Sequence, residues 1–346
     1  MADPSLITAD VQGTATAALA VRAEGRRHRR GLSLRSAFLL RRLGRLLVSL
    51  AVVVLASFFL VHLVPGDPVR AVLGPEASAE LVAATRANLG LDKPILQQFW
   101  DYVGGLLRGD FGTSIRTQRP VAEIVAQRFP ATITLGVWAF IVAVVGALPI
   151  GIAAAVSSRT GRHRSRDVGL SSFLGILIAI PNFLLAVGLI ALFAVQLGWL
   201  PAAGWGSFDE AILPVLTLAL GPMAYLARIV QVEMIAVLEM TYMTTARSKR
   251  LPARLFYLRH ALPNIVTASL TVGGLVLSGL TAGTVLIETV FAIPGMGTTM
   301  VSAVSAKDFP VVQAAVIVYA LIVLGVNLLV DLILVTIDPR SSITEG

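Results

Sequence analysis

The chain has 346 residues, of which 56% are hydrophobic and 14% are charged, and its mean hydropathy is +0.81. Soluble domains carry about 25% charged residues, so this composition excludes an ordinary soluble protein and indicates a polytopic membrane protein. The chain has no cysteine, which excludes disulfides, thiolate metal sites and cysteine nucleophiles. The net charge of +8 is better explained by membrane sidedness than by nucleic acid, and no nucleic-acid partner is predicted.

Residues 1–40 are predicted to form a disordered, basic cytoplasmic tail, because they are small, polar and rich in arginine. The apolar run that follows is long enough to cross a bilayer, which takes about 20 residues. It begins late in the chain and lacks a clear small-residue cleavage site, so we interpret it as a retained span rather than a signal peptide. The arginine cluster at 26–30 is interpreted as a topology anchor on anionic lipid.

Six apolar segments are predicted to be transmembrane helices, because a span must satisfy its own backbone hydrogen bonds and none shows the alternation of a barrel strand. The predicted fold class is therefore all-α, with a membrane domain at residues 41–340 and a short C-terminal tail at 341–346. Prolines in or near the spans, at positions 149, 181, 214 and 222, predict kinks. The predicted spans are Leu46–Val64, Thr132–Val156, Leu170–Gln196, Ala211–Val230, Asn264–Ile287 and Val311–Val335.

Lysine and arginine concentrate in alternate connections between these spans. Nine arginines precede the first span, four lie between the second and third, and six basic residues lie around the loop between the fourth and fifth. By contrast, residues 197–210 contain none, and residues 289–310 contain only Lys307. The positive-inside rule therefore predicts that both termini are cytoplasmic. Residues 65–131 face outward on this prediction, and their seven basic residues are balanced by seven acids.

Several motifs that would carry chemistry are absent from the sequence. There is no phosphate loop of the GxxxxGK[ST] type, no HExxH and no GxSxG. The four histidines are scattered, and the acids Glu288 and Asp331 lie near span ends rather than at mid-depth. The chain is therefore predicted to be no enzyme and to have no energy source of its own. A self-contained secondary transporter, which needs a midplane ion site, and an intramembrane enzyme, which needs a Ser–His or paired-Asp arrangement, remain as alternatives.

The basic segment at 242–263 resembles the cytoplasmic coupling loop of binding-protein-dependent ABC importers of the dipeptide, oligopeptide and nickel permease family. The resemblance covers about residues 38–342 and depends on the joint order of many short motifs. The Pro-Gly-Asp-Pro motif after the first span points to the B-type subunit of the two permeases. Besides the loop residues given below, the matching motifs are those at 65–68, 89–94, 109–114, 128–134, 180–183, 288–291, 294–297, 308–310 and 338–340.

The resemblance implies a type I ABC importer permease in a bacterial inner membrane. The implied partners are a second, homologous permease, two ABC ATPases, an extracytoplasmic substrate-binding protein and membrane lipid. It implies no cofactor in this chain, since ATP and magnesium would bind to the ATPases. Peptides are the implied cargo, and glutathione or a nickel or other metal chelate, carried by the same family, stays open as the alternative.

The resemblance makes residues 231–263 the coupling loop, a short helix that docks into a cleft on an ATPase. Residues 241–249 suit about two helical turns, and the small Ala246 is expected to let the partner approach the backbone. Leucines 255, 258 and 262 are expected to seat the element on the spans. Arg250 stands where the family has glycine, so the turn must be made in another way. The candidate docking residues are Tyr242, Thr245, Ala246, Arg247, Lys249, Arg250, Leu251, Arg259, His260 and Leu262.

The outward segment 65–131 is implied to be a folded scoop that meets the binding protein. Helical pieces are expected at Ser78–Leu89 and Pro94–Leu107. The motif at 65–68 is equally open to interpretation as a simple turn, the aspartates as a solvated face, and Glu288 as a helix-end acid paired locally. The candidate residues for contact with the binding protein or cargo are Asp67, Asp110, Glu288 and Asp308.

Overall fold

A computed structural model of the chain describes residues 34–63, 68–74, 76–88, 90–160, 164–249, 252 and 255–337. The predicted tail before residue 34, Asp67, Arg250, Leu251 and the motif at 338–340 lie outside these residues. The chain divides into two units, Met1–Arg45 and Leu46–Gly346.

All regular elements in the described residues are helices, so the predicted all-helical class is confirmed. They are α1 (Leu34–Leu63), α2 (Pro68–Leu73), α3 (Ala79–Asn88), α4 (Ile95–Leu107), α5 (Val121–Thr160), α6 (Arg164–Ala179), α7 (Asn182–Leu189) continued by a π-helical segment (Ile190–Gln196), α8 (Phe208–Glu239), α9 (Thr241–Ser248), a second π-helical segment (Phe256–Ala261), α10 (Leu262–Val290), α11 (Met296–Ser305) and α12 (Phe309–Ile337).

The described chain has five single helices that are long and apolar enough to cross a membrane, and a sixth span if α6 and α7 are counted as one. That pair, Asp167–Ala179 and Asn182–Gln196, is bent by 105°. Pro181 lies at the bend, and its missing N–H together with its steric effect on Ile180 explains the break. The kink predicted at Pro181 is confirmed as a complete break, whereas α5 and α8 continue through their internal prolines.

Helix α5 is the longest element and packs along most of α8. Its 40 residues extend about 60 Å, roughly twice the hydrocarbon thickness of a bilayer. Buried alanines at 139, 143, 147 and 154 line it. A Cβ added to Gly151 would lie only 2.5 Å from the carbonyl oxygen of Ala227 in α8. Small side chains therefore let these two helices approach closely, as in other membrane bundles.

The segment between α10 and α12 contains a helix that the sequence did not predict. The sequence predicts a short loop at residues 289–310, but α11 occupies Met296–Ser305 within them. Ala292 and Lys307, on either side of α11, both have positive φ, at 53° and 56°. Such a conformation is uncommon for residues with a side chain, so both turns are held by their surroundings. The helices predicted at Ser78–Leu89 and Pro94–Leu107 are confirmed as α3 and α4.

Candidate functional sites

Helix α9 lies against a buried apolar cluster, which we call the α9 seat. The two residues of α9 that face it are Met243, 1% exposed, and Ala246, 8% exposed. The helical prediction for residues 241–249 is confirmed, but Ala246 points into its own chain and does not present its small side chain to a partner. The other buried residues of the seat are Ala155, Val230, Met234, Val237, Leu238, Phe256, Ala261 and Ile265.

The remaining surface of α9 is polar and exposed. Thr245 lies opposite the α9 seat, Tyr242 and Arg247 lie on the two flanks, and Lys249 follows the end of the helix; all four are exposed. The guanidinium group of Arg247 stands 5.6 Å from the ring centre of Phe256, a cation–π contact that holds the side chain beside the helix. A partner that approaches α9 therefore meets hydroxyl groups, a phenol and two cations.

The π-helical segment Phe256–Ala261 joins this region to α10. Phe256 is the buried anchor of the segment, whereas Leu255 is 39% exposed, so the predicted leucine stripe is wrong at its first position. Leu262 is half-buried against the seat. His260 is half-buried and Arg259 is exposed, and the carbonyl oxygen of His260 accepts a 2.9 Å hydrogen bond from Asn264 Nδ2. Pro263 lies in the first turn of α10, as its missing N–H allows.

Glu288, near the end of α10, is fully buried and bonded within the chain. Its Oε1 accepts a 2.6 Å hydrogen bond from the hydroxyl of Thr132 in α5, and its Oε2 accepts bonds from the backbone N–H groups of Gly297 and Thr298 at 2.6 and 3.2 Å. The hydroxyl of Thr132 also accepts from Met296 N at 2.8 Å. The carboxyl group therefore caps the first turn of α11, where orphan N–H groups favour an acid.

Gly297 is required by this arrangement. A Cβ at position 297 would stand 2.6 Å from the Cα of Val285 and 2.8 Å from Glu288 Oε2. Glu288 is 0% exposed, so it offers no surface to cargo or to a binding protein in this chain. Glu288 therefore fits the expectation of an acid that is paired locally, and its role in this chain is structural rather than one of contact.

Asp308, which follows α11, is likewise buried and hydrogen-bonded within the chain. It is 3% exposed. Its Oδ2 accepts a hydrogen bond from Ser114 Oγ, and its Oδ1 accepts one from the backbone N–H of Ile115 at 3.1 Å. The expected contact role is replaced here too, because the carboxyl group fastens the end of segment 68–120 to the start of α12.

Asp110 is the one described candidate acid at the surface. Its Oδ1 accepts from Gly112 N at 2.8 Å, and it lines an open cavity of about 680 Å³. Helix α4 forms another wall, where Tyr102 and Ser57 share a 2.9 Å hydroxyl–hydroxyl hydrogen bond. Burial raises the pKa of Tyr102, so its hydroxyl stays protonated near neutral pH.

A basic cleft beside α11 was missed by the sequence interpretation. Arg116, Arg119 and Arg128 line a cavity of about 270 Å³, together with hydroxyl residues of α11. Arg119 pairs with Glu123 at 3.4 Å. Neither Arg116 nor Arg128 has an ion pair among the described residues. These arginines are far apart from α11 in sequence, so only the fold reveals the cleft.

Within the described chain, no group of three or more His, Asp or Glu side chains could hold a metal ion. The two buried carboxyl groups are already occupied by hydrogen bonds to the chain.

Comparison with known proteins gives a consistent family. Residues 147–343 match the model of the binding-protein-dependent transport system inner membrane component, and residues 35–136 match the model of its N-terminal part. The chain is 40% identical over 304 residues to the glutathione transport system permease protein GsiC of Salmonella choleraesuis strain SC-B67, an alignment covering 87% of this chain and 97% of the relative. It is 38% identical over 303 residues to GsiC of Escherichia coli strain K12, with the same coverage.

A similar solved structure is that of the inward-facing MetNI methionine ABC transporter. The similarity has a TM-score of 0.49 at 16% identity and covers 69% of this chain and 98% of the other.

Proposed function

This chain belongs to the family of binding-protein-dependent transport system inner membrane components and is a permease subunit of an ABC importer rather than an enzyme; on that premise we propose that its cargo is a short peptide and that α9 couples it to an ATPase. The observation that carries the coupling proposal is the two-sided packing of α9. One face is buried in the α9 seat and the other is exposed and polar.

The coupling mechanism follows from the connections of α9. The seat includes residues of α5, α8 and α10, so a push on the exposed face is passed to three membrane helices rather than absorbed by a loop. Closure of an ATPase dimer on ATP would move α9 and its seat together. The spans would then change between inward- and outward-facing states, a rigid-body motion biased by nucleotide.

The proposed assembly contains a second permease of the same family, two ABC ATPases and an extracytoplasmic binding protein. ATP and magnesium bind to the ATPases. The chain lies in a bacterial inner membrane with both termini in the cytoplasm, a topology supported by the distribution of its arginines. On this topology α9 faces the cytoplasm, while α11 and segment 68–120 face outward.

The basic cleft is proposed to meet acidic side chains of the binding protein. Arg116 and Arg128 are without an ion pair in the described chain, and arginine pairs with carboxylates in a planar, bidentate manner. An Arg116→Glu variant is expected to weaken stimulation of ATP hydrolysis by the binding protein, most clearly at low salt. Undiminished stimulation of this variant would contradict the contact.

Two kinds of short peptide fit this proposal as cargo. The similar GsiC proteins are named as glutathione transport permeases, and glutathione is itself a tripeptide. This similarity makes glutathione the second candidate beside ordinary di- and oligopeptides.

The test is gentle detergent extraction of the tagged chain from its native membrane, followed by mass spectrometry of the bound proteins. We expect two phosphate-loop ATPases and a second six-span chain. Recovery of the chain alone in several detergents would contradict the coupling proposal and favour a self-powered carrier.

A further inference from the structure

A cavity of about 290 Å³ lies where α6 breaks into α7 and where these helices meet α8 and α10. Its lining includes Leu177, Asn182, Leu218, Gly221, Tyr225 and Gly279. Asn182 begins the second half of the bent pair, Tyr225 is near the middle of α8, and Gly279 is past the middle of α10. Each membrane element therefore contributes from its interior, far from its ends.

Two prolines remove backbone donors at this cavity. Pro181 has no N–H, so the carbonyl oxygen of Leu177 has no donor four residues ahead, and the last regular helical bond before the break runs from Ile180 N to Ile176 O. Pro222 deprives the carbonyl oxygen of Leu218 of its donor in the same way, but Leu218 is 0% exposed, so that oxygen does not open into the cavity. A membrane span tolerates such groups where they line a cavity that supplies other partners.

The side chain of Asn182 adds a further polar group. A Cβ built on Gly221 of α8 would lie 3.6 Å from Asn182 Oδ1, and one on Gly283 of α10 would lie 3.7 Å from Asn182 Nδ2. The amide thus lies between the two helices. It has no hydrogen bond among the described residues, although it is half-buried. Burying an unbonded amide is costly, and an amide that both donates and accepts suits another amide.

We propose that this mid-span cavity binds the main chain of a short peptide in transit, with Asn182 and the freed carbonyl oxygen of Leu177 pairing with its amide groups. The proposal rests on the proposed peptide cargo and names the place where this chain contacts it. The cavity's lining residues are uncharged, so recognition depends on N–H and C=O groups that every peptide has. Tyr225, which is exposed, adds a hydroxyl and an aromatic face for side chains of any kind.

The amide of Asn182 both donates and accepts, so the freed carbonyl oxygen of Leu177 beside it gives the cavity an excess of acceptors. It therefore favours ligands rich in N–H groups over ligands of the same size that lack them. Few fixed partners also mean weak, transient binding, which suits a passage that must release what it holds.

The test uses the absence of native cysteine in this chain. A Gly279→Cys variant has space for its side chain, because no atom lies within 4 Å of an added Cβ. In the assembled complex, the rate of alkylation of this cysteine is measured with trialanine and with its isomer trisarcosine, whose internal amide nitrogens carry methyl groups instead of hydrogen. Trialanine at about twice its Kd should slow alkylation about threefold, and trisarcosine at the same concentration should not. Addition of Asn182→Leu, which keeps the approximate size of the side chain, should remove the protection.

Equal effects of the two isomers, or no effect of either, would overturn the proposal. So would protection that survives Asn182→Leu. The wild-type complex is first assayed for ATP hydrolysis. A preparation without ATPase activity contradicts the proposed function itself, whereas an active complex whose Gly279→Cys variant is indifferent to peptide contradicts only this site.

Discussion

The hydroxyl group of Thr132 in α5 donates a 2.6 Å hydrogen bond to Glu288 Oε1 at the end of α10, and both groups are buried. The same hydroxyl accepts from Met296 N at the start of α11. One side chain of α5 thus joins α10 and α11 through residues that lie 156 and 164 positions further along the chain. Together with Asp308, which fastens Ser114 and Ile115, it fixes the end of the molecule that is proposed to face outward.

Replacement Thr132→Val is expected to destabilise the chain by about 1–3 kcal/mol, because Glu288 and Met296 N each lose a buried partner while the side-chain shape is kept. The measurement is the temperature at which half of the detergent-solubilised protein loses its monodisperse peak. Thr134→Val is the control, since Thr134 is an exposed residue of the same helix. Equal transition temperatures for the two variants would show that the bonds of Thr132 do not hold these helices.

Replacement Asp308→Ala leaves Ser114 Oγ and Ile115 N without their acceptor. We expect segment 112–120 to detach more often, with a cost again of about 1–3 kcal/mol. Trypsin should then cleave faster after Arg116 in spheroplasts, whereas the Arg119–Pro120 bond resists trypsin in every variant. Asp101→Ala is the matched control, because that acid lies at the surface in an ion pair with Lys93. Cleavage that is no faster in Asp308→Ala than in the control would refute the anchoring role.

Helix α9 offers two neighbouring substitutions with different expected outcomes. Ala246→Glu places a carboxylate in the apolar α9 seat, where an unpaired polar group costs about 2–7 kcal/mol, so both thermal stability and ATPase retention should fall. Thr245→Arg changes only the exposed face, so ATPase retention should fall while stability stays near that of the wild type. Retention of the ATPases by Thr245→Arg would mean that this face is not the docking surface.

The proposed topology is tested by single cysteines in this cysteine-free chain. In spheroplasts, a membrane-impermeant maleimide should label Ser305→Cys on α11 but reach Ser165→Cys, between the second and third spans, only after the membrane is permeabilised. Both positions are exposed in the isolated chain, so a difference reports sidedness rather than burial. The reverse pattern would invert the orientation inferred from the arginines.

The spans and the short helix at residues 241–249 could be predicted from sequence because apolar length and local periodicity determine them. The side to which Ala246 points could not, since its smallness suits a tight contact with its own chain as well as with a partner. Glu288 and Asp308 were assigned to contact surfaces because acids are usually exposed. Their burial depends on donors from Thr132, Gly297 and Ser114, which only the folded chain brings near them. Helix α11 was missed because its sequence is short, with two threonines, two serines and a glycine among ten residues.

The most direct test of the coupling account is photo-crosslinking from a single cysteine on the exposed face of α9. Thr245→Cys, carrying a benzophenone maleimide, is irradiated in native membranes, and the crosslinked protein is identified by mass spectrometry. Ser305→Cys serves as the control, because it also lies in the last turn of a short helix and its native hydroxyl likewise bonds four residues back. The account predicts an adduct with a nucleotide-binding ATPase from position 245 and none from position 305. No ATPase adduct from position 245, or the same adduct from both positions, would contradict it.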